Sequence, residues 1–288
     1  MPTTTPVLLR ALVDDAAVFP PGNAALADAV TGHAVHRSAP YAGCVGPLLV
    51  PAASVADLVR VLDEQDAAAA VPTGAPLELV LIARPGADPA TVTAAVDALG
   101  GDARVRVVGA ELGWYDGWYE ALAGLLPLAV ETPRGPDADR AFAEVRTAHR
   151  EGLPVVLKLR TGPTPTWPWP DEAELAAFLR LAAPEVPFKL TGGLHHAVRG
   201  TYEVAGVPEE NHGVLNVLLA TSAALDGAGP DEVTALLGLR DAVALADLVA
   251  AWPDSTAAAV RAAFTAYGCC TVTDPLGELT DLGLLPQP

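Results

Sequence analysis

Short apolar runs alternate with amphipathic stretches along almost the whole chain. The runs end at glycine, proline or charged residues, which is the pattern of buried strands. The sequence predicts such strands at 45–50, 77–82, 105–110, 128–130, 155–159 and 188–190, with a last short one at 269–272. The stretches between them have apolar residues three and four positions apart, which predicts helices at 24–37, 54–66, 89–99, 114–125, 136–151 and 171–182.

A longer loop, 192–211, interrupts this alternation late in the chain. Helices are predicted after it, at 213–225, 231–251 and 256–267. The pattern gives seven strands, and segment 7–19 would supply an eighth. Strands that alternate with helices pair in parallel through right-handed crossovers. We therefore predict an α/β fold, a (β/α)8 TIM barrel that forms one domain over 1–288, with extra helices at about 230–267. A doubly wound open sheet is the alternative, but no Gly-x-Gly-x-x-Gly turn follows an early strand.

Composition narrows the functional classes. The 288 residues are 51% hydrophobic, enough for a large core, and carry a net charge of −18. An acidic chain is a poor partner for nucleic acid or anionic membranes. We expect no signal peptide and no transmembrane helix, and three cysteines make no disulfide framework. These features favour a cytoplasmic protein, and the apolar helices after residue 231 could form a homo-oligomer contact.

Lysine is almost absent from the chain, and its two occurrences share one setting. Against fifteen arginines there are only Lys158, within Leu-Lys-Leu-Arg-Thr-Gly at 157–162, and Lys189, within Phe-Lys-Leu-Thr-Gly-Gly at 188–193. Arginine is always charged, whereas a desolvated lysine can lose its proton and act as a base or nucleophile. Both lysines lie near the carboxyl end of a predicted strand, where barrels place their active sites. We therefore predict that both are catalytic.

The neighbours of the two lysines suggest how a site would form. By the period of two along a strand, Lys158 shares a face with Arg160, and Lys189 with Thr191. Two acidic residues end other strands, Glu111 and Glu131. If these faces point into the barrel, the clustered cations would lower the pKa of each amine, as Schiff-base chemistry requires. The alternative is that the lysines form buried salt bridges with the two glutamates and have no chemical role.

Histidines form the second group of candidates. His195 and His196 follow the Lys189 strand, and either could act as a general acid or base. Adjacent histidines on a loop usually point apart, so no metal is the first expectation. With His212 and Glu131 they could still bind a divalent metal. The remaining histidines, His33, His36 and His149, are predicted to lie on solvated helix surfaces.

Further residues could bind a substrate. The backbone of Gly192 and Gly193 could present N–H groups to an anion, and Arg160 could hold a carboxylate in a bidentate pair. His212 and Asn216 open the next helix and are further candidates for substrate contacts. Three other features complete the predictions: a Pro/Trp-rich loop at 163–170 that could cover the site, an Asp14–Asp15 pair that could cap a helix or line the barrel base, and Cys270 as a buried structural cysteine.

The two lysine segments resemble the deoxyribose-phosphate aldolase group of class I aldolases. In that group a Lys-Thr-x-Thr-Gly-like strand end carries the Schiff-base lysine, and a Lys-x-x-Gly-Gly-like segment on the next strand carries a second lysine that lowers its pKa. Lys158 and Lys189 occupy the matching positions, and Glu111 matches an acidic residue that transfers protons. The resemblance covers about forty residues and does not include the histidine pair. The whole chain is also similar to uncharacterised bacterial proteins, a resemblance that implies no activity.

The sequence thus favours an enzyme, a class I aldolase-like lyase that acts on a small carbonyl compound through Lys158 and needs no cofactor. Two other classes stay open. A metal-dependent barrel lyase, isomerase or hydrolase would use the histidine cluster with a divalent metal as its cofactor. A non-catalytic ligand-binding barrel would contain the same charges as a buried ion-pair network.

Overall fold

Eight parallel strands close into a barrel in a computed structural model that describes residues 5–67, 75–122, 124–164, 168–204 and 206–286. The strands of these residues are β1 (Val13–Asp15), β2 (Val45–Pro51), β3 (Leu77–Ile82), β4 (Val105–Gly113), β5 (Leu128–Glu131), β6 (Val155–Arg160), β7 (Phe188–Thr191), β8 (Gly200–Val204), β9 (Val207–Asn211) and β10 (Phe264–Cys269). Strands β1 to β7 pair in chain order, and β10 lies between β7 and β1. The predicted (β/α)8 barrel is therefore confirmed.

Helices follow most of the barrel strands. They are α1 (Leu26–Ser38), α2 (Val55–Ala67), α3 (Ala90–Leu99), α4 (Trp118–Leu122), α5 (Ala138–Arg150), α6 (Glu172–Ala182), α7 (Val214–Leu225), α8 (Pro230–Gly238), α9 (Ala242–Ala250), α10 (Asp254–Ala263) and α11 (Thr273–Asp281). The extra helices expected at about 230–267 are α8, α9 and α10. In the described ranges, no single helix is long and apolar enough to cross a membrane; α9 and α10 together have that length and composition, with a bend of 108° between them.

Two strands differ from the predictions. The eighth strand, β1, is only Val-Asp-Asp, and it contains charged side chains because both of its aspartates have buried partners. The last strand is Phe264–Cys269, whereas the sequence predicted a helix through 267 and a strand at 269–272. Helix α10 passes into β10 without a loop, so the alanine-rich sequence gave no breaker to mark the change.

Two other segments are also corrected. A helix was predicted at 114–125, but β4 continues to Gly113 and α4 covers only Trp118–Leu122. The loop predicted at 192–211 contains an antiparallel hairpin formed by β8 and β9, whose residues are mostly polar and at least partly exposed. An exposed polar hairpin has no apolar run, and periodicity therefore does not detect it.

The barrel wall separates two environments. On β6, Val155, Leu157 and Leu159 belong to the large apolar core between the barrel and the helices. Alternate residues of a strand face opposite ways, so Lys158 and Arg160 point into the barrel. The same alternation on the other strands gives the interior only a small apolar cluster of its own, Ala16, Leu49, Val80 and Ile82. The charged residues of the strands lie in the rest of that interior.

Candidate active site

Both lysines lie inside the barrel and contact the same carboxylate. Lys158 and Lys189 are direct partners in the β6–β7 pairing. The Lys158 Nζ atom lies 2.7 Å from Glu111 Oε2, and Lys189 Nζ contacts the other oxygen of that carboxylate, Oε1. Glu111 is 1% exposed and Lys158 3% exposed, so water does not screen these charges. One buried carboxylate on β4 therefore bridges the two amines.

Each lysine has a second acidic partner. Lys158 Nζ is 3.0 Å from Glu131 Oε2, and Lys189 Nζ contacts Asp14 Oδ2 on β1. Glu131 also accepts two hydrogen bonds from Arg160, from Nε at 2.9 Å and from Nη2 at 3.3 Å. Arg160, predicted to hold a substrate carboxylate, is thus paired with the protein's own carboxylate Glu131. Three cations and three acids form one continuous network.

Small residues around the interior make room for these long side chains. A Cβ atom at Gly46 on β2 would lie 2.0 Å from Asp14 Oδ1, so only glycine fits beside that carboxylate. A Cβ at Gly268 on β10 would be 3.6 Å from the Thr191 hydroxyl. Thr191 thus lies at the inner wall as predicted. Ala129 and Ala266 occupy two further inward positions.

The network keeps its central groups charged. Burial favours a neutral Glu111, but the opposing charges of Lys158 and Lys189 outweigh it and lower the pKa of this carboxyl to about 2. Burial likewise disfavours the charged form of Glu131, yet Lys158 and Arg160 lower its pKa. The pKa of Asp14 is raised, because burial outweighs its contact with Lys189.

Lys189 does not behave as the sequence predicted. Clustered cations were expected to lower the pKa of each amine. Burial does favour the neutral amine of Lys189, but Asp14 and Glu111 outweigh burial and raise its pKa above the ordinary value. The difference comes from Asp14, which is 175 residues away from Lys189 along the chain and contacts it only in the closed barrel. Lys189 is therefore a stable ammonium ion.

The two adjacent histidines point to different neighbours, as expected for a histidine pair on a loop. The Nδ1 atom of His195 lies 3.6 Å from Cys269 Sγ and 3.7 Å from Cys270 Sγ, at the carboxyl end of β10. Burial lowers the pKa of His195 and raises the pKa of both thiols, so all three groups are neutral at pH 7. Cys270 is half-buried rather than fully buried.

His196 turns away from the barrel. Its Nδ1 atom is 2.7 Å from Glu278 of α11, and its ring stacks on Tyr202 with centroids 3.3 Å apart. Glu278 also accepts a hydrogen bond from the backbone N–H of Ala197 at 2.6 Å. His196 thus connects the hairpin to α11, and in this structure its contacts are packing contacts outside the barrel interior.

His212 and Asn216 are buried and bound to the backbone. His212 Nε2 donates to the Pro170 carbonyl at 2.8 Å, and burial lowers the pKa of its ring. The Asn216 amide donates to the carbonyls of Leu236 and Leu239, both at 2.8 Å, and accepts from the Arg199 N–H. The polar groups of Asn216, predicted to contact a substrate, are therefore occupied by protein partners.

The alternative metal site is not assembled in this structure. His195 faces the cysteines, His196 faces α11, His212 faces the loop before α6, and Glu131 faces Lys158. Within the described ranges, no three side chains of His, Cys, Asp or Glu are arranged to hold a metal ion.

The loop after β6 covers the glycine turn after β7. A Cβ atom at Gly193 would lie 2.1 Å from the Trp169 ring and 2.8 Å from the Thr161 carbonyl, and Gly193 has a φ of 89°. The Thr161 hydroxyl donates to the carbonyl of Gly192. This part of the 163–170 loop covers the turn as expected, while 165–167, including Trp167, lies outside the described residues. Gly193 is thus packed against the Trp169 ring on the side where a Cβ atom would lie.

Sequence reasoning missed the role of the Asp14–Asp15 pair. Asp14 points into the barrel and binds Lys189, whereas Asp15 points outward and lies 3.0 Å from His33 Nδ1 of α1. His33 is consequently buried, although it was predicted to be solvated. The available sign was a charged pair directly after an apolar segment, because successive strand residues face opposite sides.

Comparisons with protein-family profiles, curated proteins and solved structures find no match to this chain.

Proposed function

We propose that this barrel is a class I aldolase-like lyase that acts on a small carbonyl compound through a Schiff base on Lys158. The observation that carries the proposal is the pair of buried amines joined by Glu111. Glu111, Lys158 and Lys189 lie on β4, β6 and β7 and meet inside the barrel. The resemblance to the deoxyribose-phosphate aldolase group assigned the proton-transfer acid, the nucleophile and the second lysine to these residues.

Lys158 is the better nucleophile of the two because it shares both of its carboxylates with other cations. Glu111 is also bound by Lys189, and Glu131 is also bound by Arg160. Lys189 instead has Asp14 as an additional acidic partner, and its raised pKa keeps it protonated. An imine forms only from a neutral amine, so Lys189 is the less suitable nucleophile.

The chemistry follows from these roles. Lys158 first passes a proton to Glu111, and its neutral amine attacks the substrate carbonyl carbon. The carbinolamine takes up that proton and loses water to form the protonated imine. As the adjacent carbon–carbon bond breaks, its electron pair moves to the imine nitrogen to give an enamine, while the β-hydroxyl loses its proton to Glu111 and becomes the carbonyl of the released aldehyde. Protonation of the enamine carbon and hydrolysis return the amine. Glu111 can move the protons, and the charged Lys189 keeps Glu111 ionised between steps.

The compartment proposed is the cytoplasm. All three cysteines are free thiols, which supports a reducing environment.

Borohydride trapping tests the proposal. The protein is incubated with a panel of small aldehydes and ketones, reduced, and analysed by intact mass and peptide mapping. We expect an adduct on Lys158 that Lys158→Met abolishes. The Lys158→Met/Lys189→Met variant is the matched control, because it has no ε-amine and any remaining adduct marks the chain terminus.

Two outcomes contradict the proposal. An adduct on Lys189 alone would show that Lys189, and not Lys158, is the nucleophile. No ε-amine adduct with any carbonyl, in protein whose fold is verified by circular dichroism, would favour the non-catalytic ion-pair network.

A further inference from the structure

We propose that Cys270 and His195 form a nucleophile–base pair that accepts an acyl group from a small ester or thioester. Cys270 directly follows β10, at the carboxyl end of the barrel strands, where barrels place their active sites. Its Sγ atom lies 3.7 Å from Nδ1 of His195, which is on the loop after β7. A thiol within reach of an imidazole is the arrangement of a cysteine nucleophile with its general base. Acyl transfer at this pair does not require the imine chemistry proposed for the lysines.

Among the three cysteines, Cys270 is the accessible one. Cys44 and Cys269 are 0% exposed, whereas Cys270 is partly exposed, as is His195. Cys269 also lies close to His195, with 3.6 Å between Sγ and Nδ1, but its thiol donates a hydrogen bond to the Thr271 carbonyl at 3.3 Å. The Nδ1 atom of His195 is therefore left to accept the proton of Cys270.

Hydrogen-bond donors surround the Cys270 sulfur on its other sides. The backbone N–H groups of Gly22 and of Cys270 itself, and the Thr271 hydroxyl at 3.7 Å, all favour its thiolate. A Cβ atom at Gly22 would lie 3.0 Å from the Cys270 Cβ and 2.8 Å from the Ala17 carbonyl, so glycine lets the loop after β1 approach the thiol. N–H groups held at a nucleophile can also stabilise the oxyanion that forms when it attacks an acyl carbon.

Both members of the pair are neutral before the reaction, so the thiol is activated by general-base catalysis. Burial raises the pKa of the Cys270 thiol above its ordinary value and lowers the pKa of the His195 ring, which His196 lowers further. Asp274 of α11 acts in the opposite direction and favours the imidazolium. The negative charge of Asp274 therefore stabilises His195 when it takes up the proton of the thiol.

The acyl transfer is balanced within the pair. The Cys270 proton moves to His195 Nδ1 as the sulfur attacks the acyl carbon, and a tetrahedral oxyanion forms. When the oxyanion collapses, the bond to the leaving oxygen or sulfur breaks, and His195 gives the proton to that atom, which departs as an alcohol or a thiol. His195 then takes a proton from a water molecule that attacks the new thioester, and it returns this proton to Cys270 as the carboxylic acid leaves.

Acylation with p-nitrophenyl acetate and with the thioester S-acetyl-N-acetylcysteamine tests the pair. The full chain is mixed with each reagent, and the acetyl adduct is followed by intact mass and located by peptide mapping. We expect an adduct on Cys270 that neutral hydroxylamine removes, because hydroxylamine cleaves thioesters and leaves amides intact. Cys270→Ala should abolish this adduct. Cys44→Ala is the matched control, because Cys44 is a buried thiol at the other end of the barrel. The two reagents show whether an oxygen ester or a thioester is preferred.

His195→Gln distinguishes a catalytic pair from an ordinary accessible thiol. We expect this variant to slow the acylation of Cys270 by about 10²- to 10⁴-fold, the contribution typical of a general base. The wild-type rate should fall only below pH 6.5, the ordinary pKa of histidine, because burial lowers the pKa of His195. In His195→Gln the rate should instead rise steadily with pH as the thiol ionises.

Three results would overturn the assignment, each in protein whose fold is verified by circular dichroism. They are no thiol adduct in the wild type, an adduct that persists in Cys270→Ala, and equal acylation rates of the wild type and His195→Gln. Should a variant fail to fold, the wild-type pH profile still decides, since a rate that rises with pH without a plateau contradicts a histidine base. None of these results changes the outcome of borohydride trapping, which reports on the ε-amines, so the two proposals are tested separately.

Discussion

The outer side of the barrel wall packs leucine, valine and phenylalanine against the helices, whereas the inner side of the same strands holds three cations and three acids. Outward residues such as Leu157 and Phe188 are fully buried among apolar neighbours. Inward residues one position away, Lys158 and Lys189, are almost as buried but touch carboxylates. Successive residues of a barrel strand thus lie alternately in the apolar core and in the charged interior.

The two sides of the wall contribute differently: the outer side stabilises the fold, and the inner side contains the candidate active site. Burial of apolar surface on the outer side stabilises the fold at about 25 cal/mol per Å². A buried ion pair contributes little, because the loss of hydration offsets the attraction, and apolar side chains of similar size are often as stable. Folding alone therefore does not explain six charges inside the barrel. A catalytic role for the interior, as proposed above, would explain them.

The largest effect is expected from breaking the network at its centre. Glu111→Gln leaves Lys158 and Lys189 with one carboxylate each, and should lower the free energy of unfolding by about 3–5 kcal/mol, measured with urea. The variant Asp14→Asn/Glu111→Leu/Lys158→Met/Lys189→Met removes these charges together, while Glu131 keeps Arg160. It should be more stable than Glu111→Gln. If it is less stable than Glu111→Gln, the interior charges stabilise the fold, which would contradict this distinction between the two sides of the wall.

On the outer side, Leu175→Ala in α6 should lower the free energy of unfolding by about 2–5 kcal/mol, because Leu175 is fully buried and its removal leaves a cavity. The loss should be the same at pH 7 and pH 4, because no titrating group contributes to it. A loss that depended on pH would show that the two sides of the wall are coupled.

Acid should affect the inner side selectively. The pKa of Glu111 is about 2 in the folded protein and 4.5 ordinarily, so its contribution is fully present above pH 4.5. Between pH 4.5 and 2 the unfolded chain binds more protons, and about 3 kcal/mol of stability is lost. Glu131 adds a loss of the same sign, and Asp14, with a raised pKa, opposes it. The free energy of unfolding, measured with urea, should therefore decline less steeply from pH 6 to 3 in Glu111→Gln than in the wild type.

The smallest effect concerns the loop over the mouth. Gly193→Ala places a methyl group against Trp169 at a positive φ, and should lower the free energy of unfolding by about 1–3 kcal/mol and change tryptophan fluorescence. Gly152→Ala is the matched control, because Gly152 has a φ of 87° and nothing within 4 Å of the added atom. An unchanged emission spectrum in Gly193→Ala would mean that Trp169 does not depend on this contact.

The barrel could be predicted because apolar runs that face the helices recur along the chain. Runs such as 77–82 and 155–159 signal strands by composition alone, and each is followed by a helix. β1 could be predicted only as a missing eighth strand, since Val-Asp-Asp is stabilised by Lys189 and His33, which are distant in sequence. The predicted bounds of β10 were wrong because α10 runs directly into it, with no glycine or proline to mark the end of the helix.

The site was predictable in part for the same reason. Period two placed Lys158 with Arg160 and Lys189 with Thr191, and strand ends placed Glu111 and Glu131 near them. The pKa direction of Lys189 was wrong because it depends on Asp14, which only the closure of the barrel brings near.

Both ε-amines of the chain are enclosed by the barrel, where Lys158 is 3% and Lys189 5% exposed. The folded surface consequently offers arginine but no lysine, so enzymes that acetylate lysine or attach ubiquitin to it find no acceptor side chain on the folded barrel. An amine-acylating reagent too large to enter the barrel would therefore label the lysines only at the rate at which the wall opens, and the chain contains its own reporter of that motion.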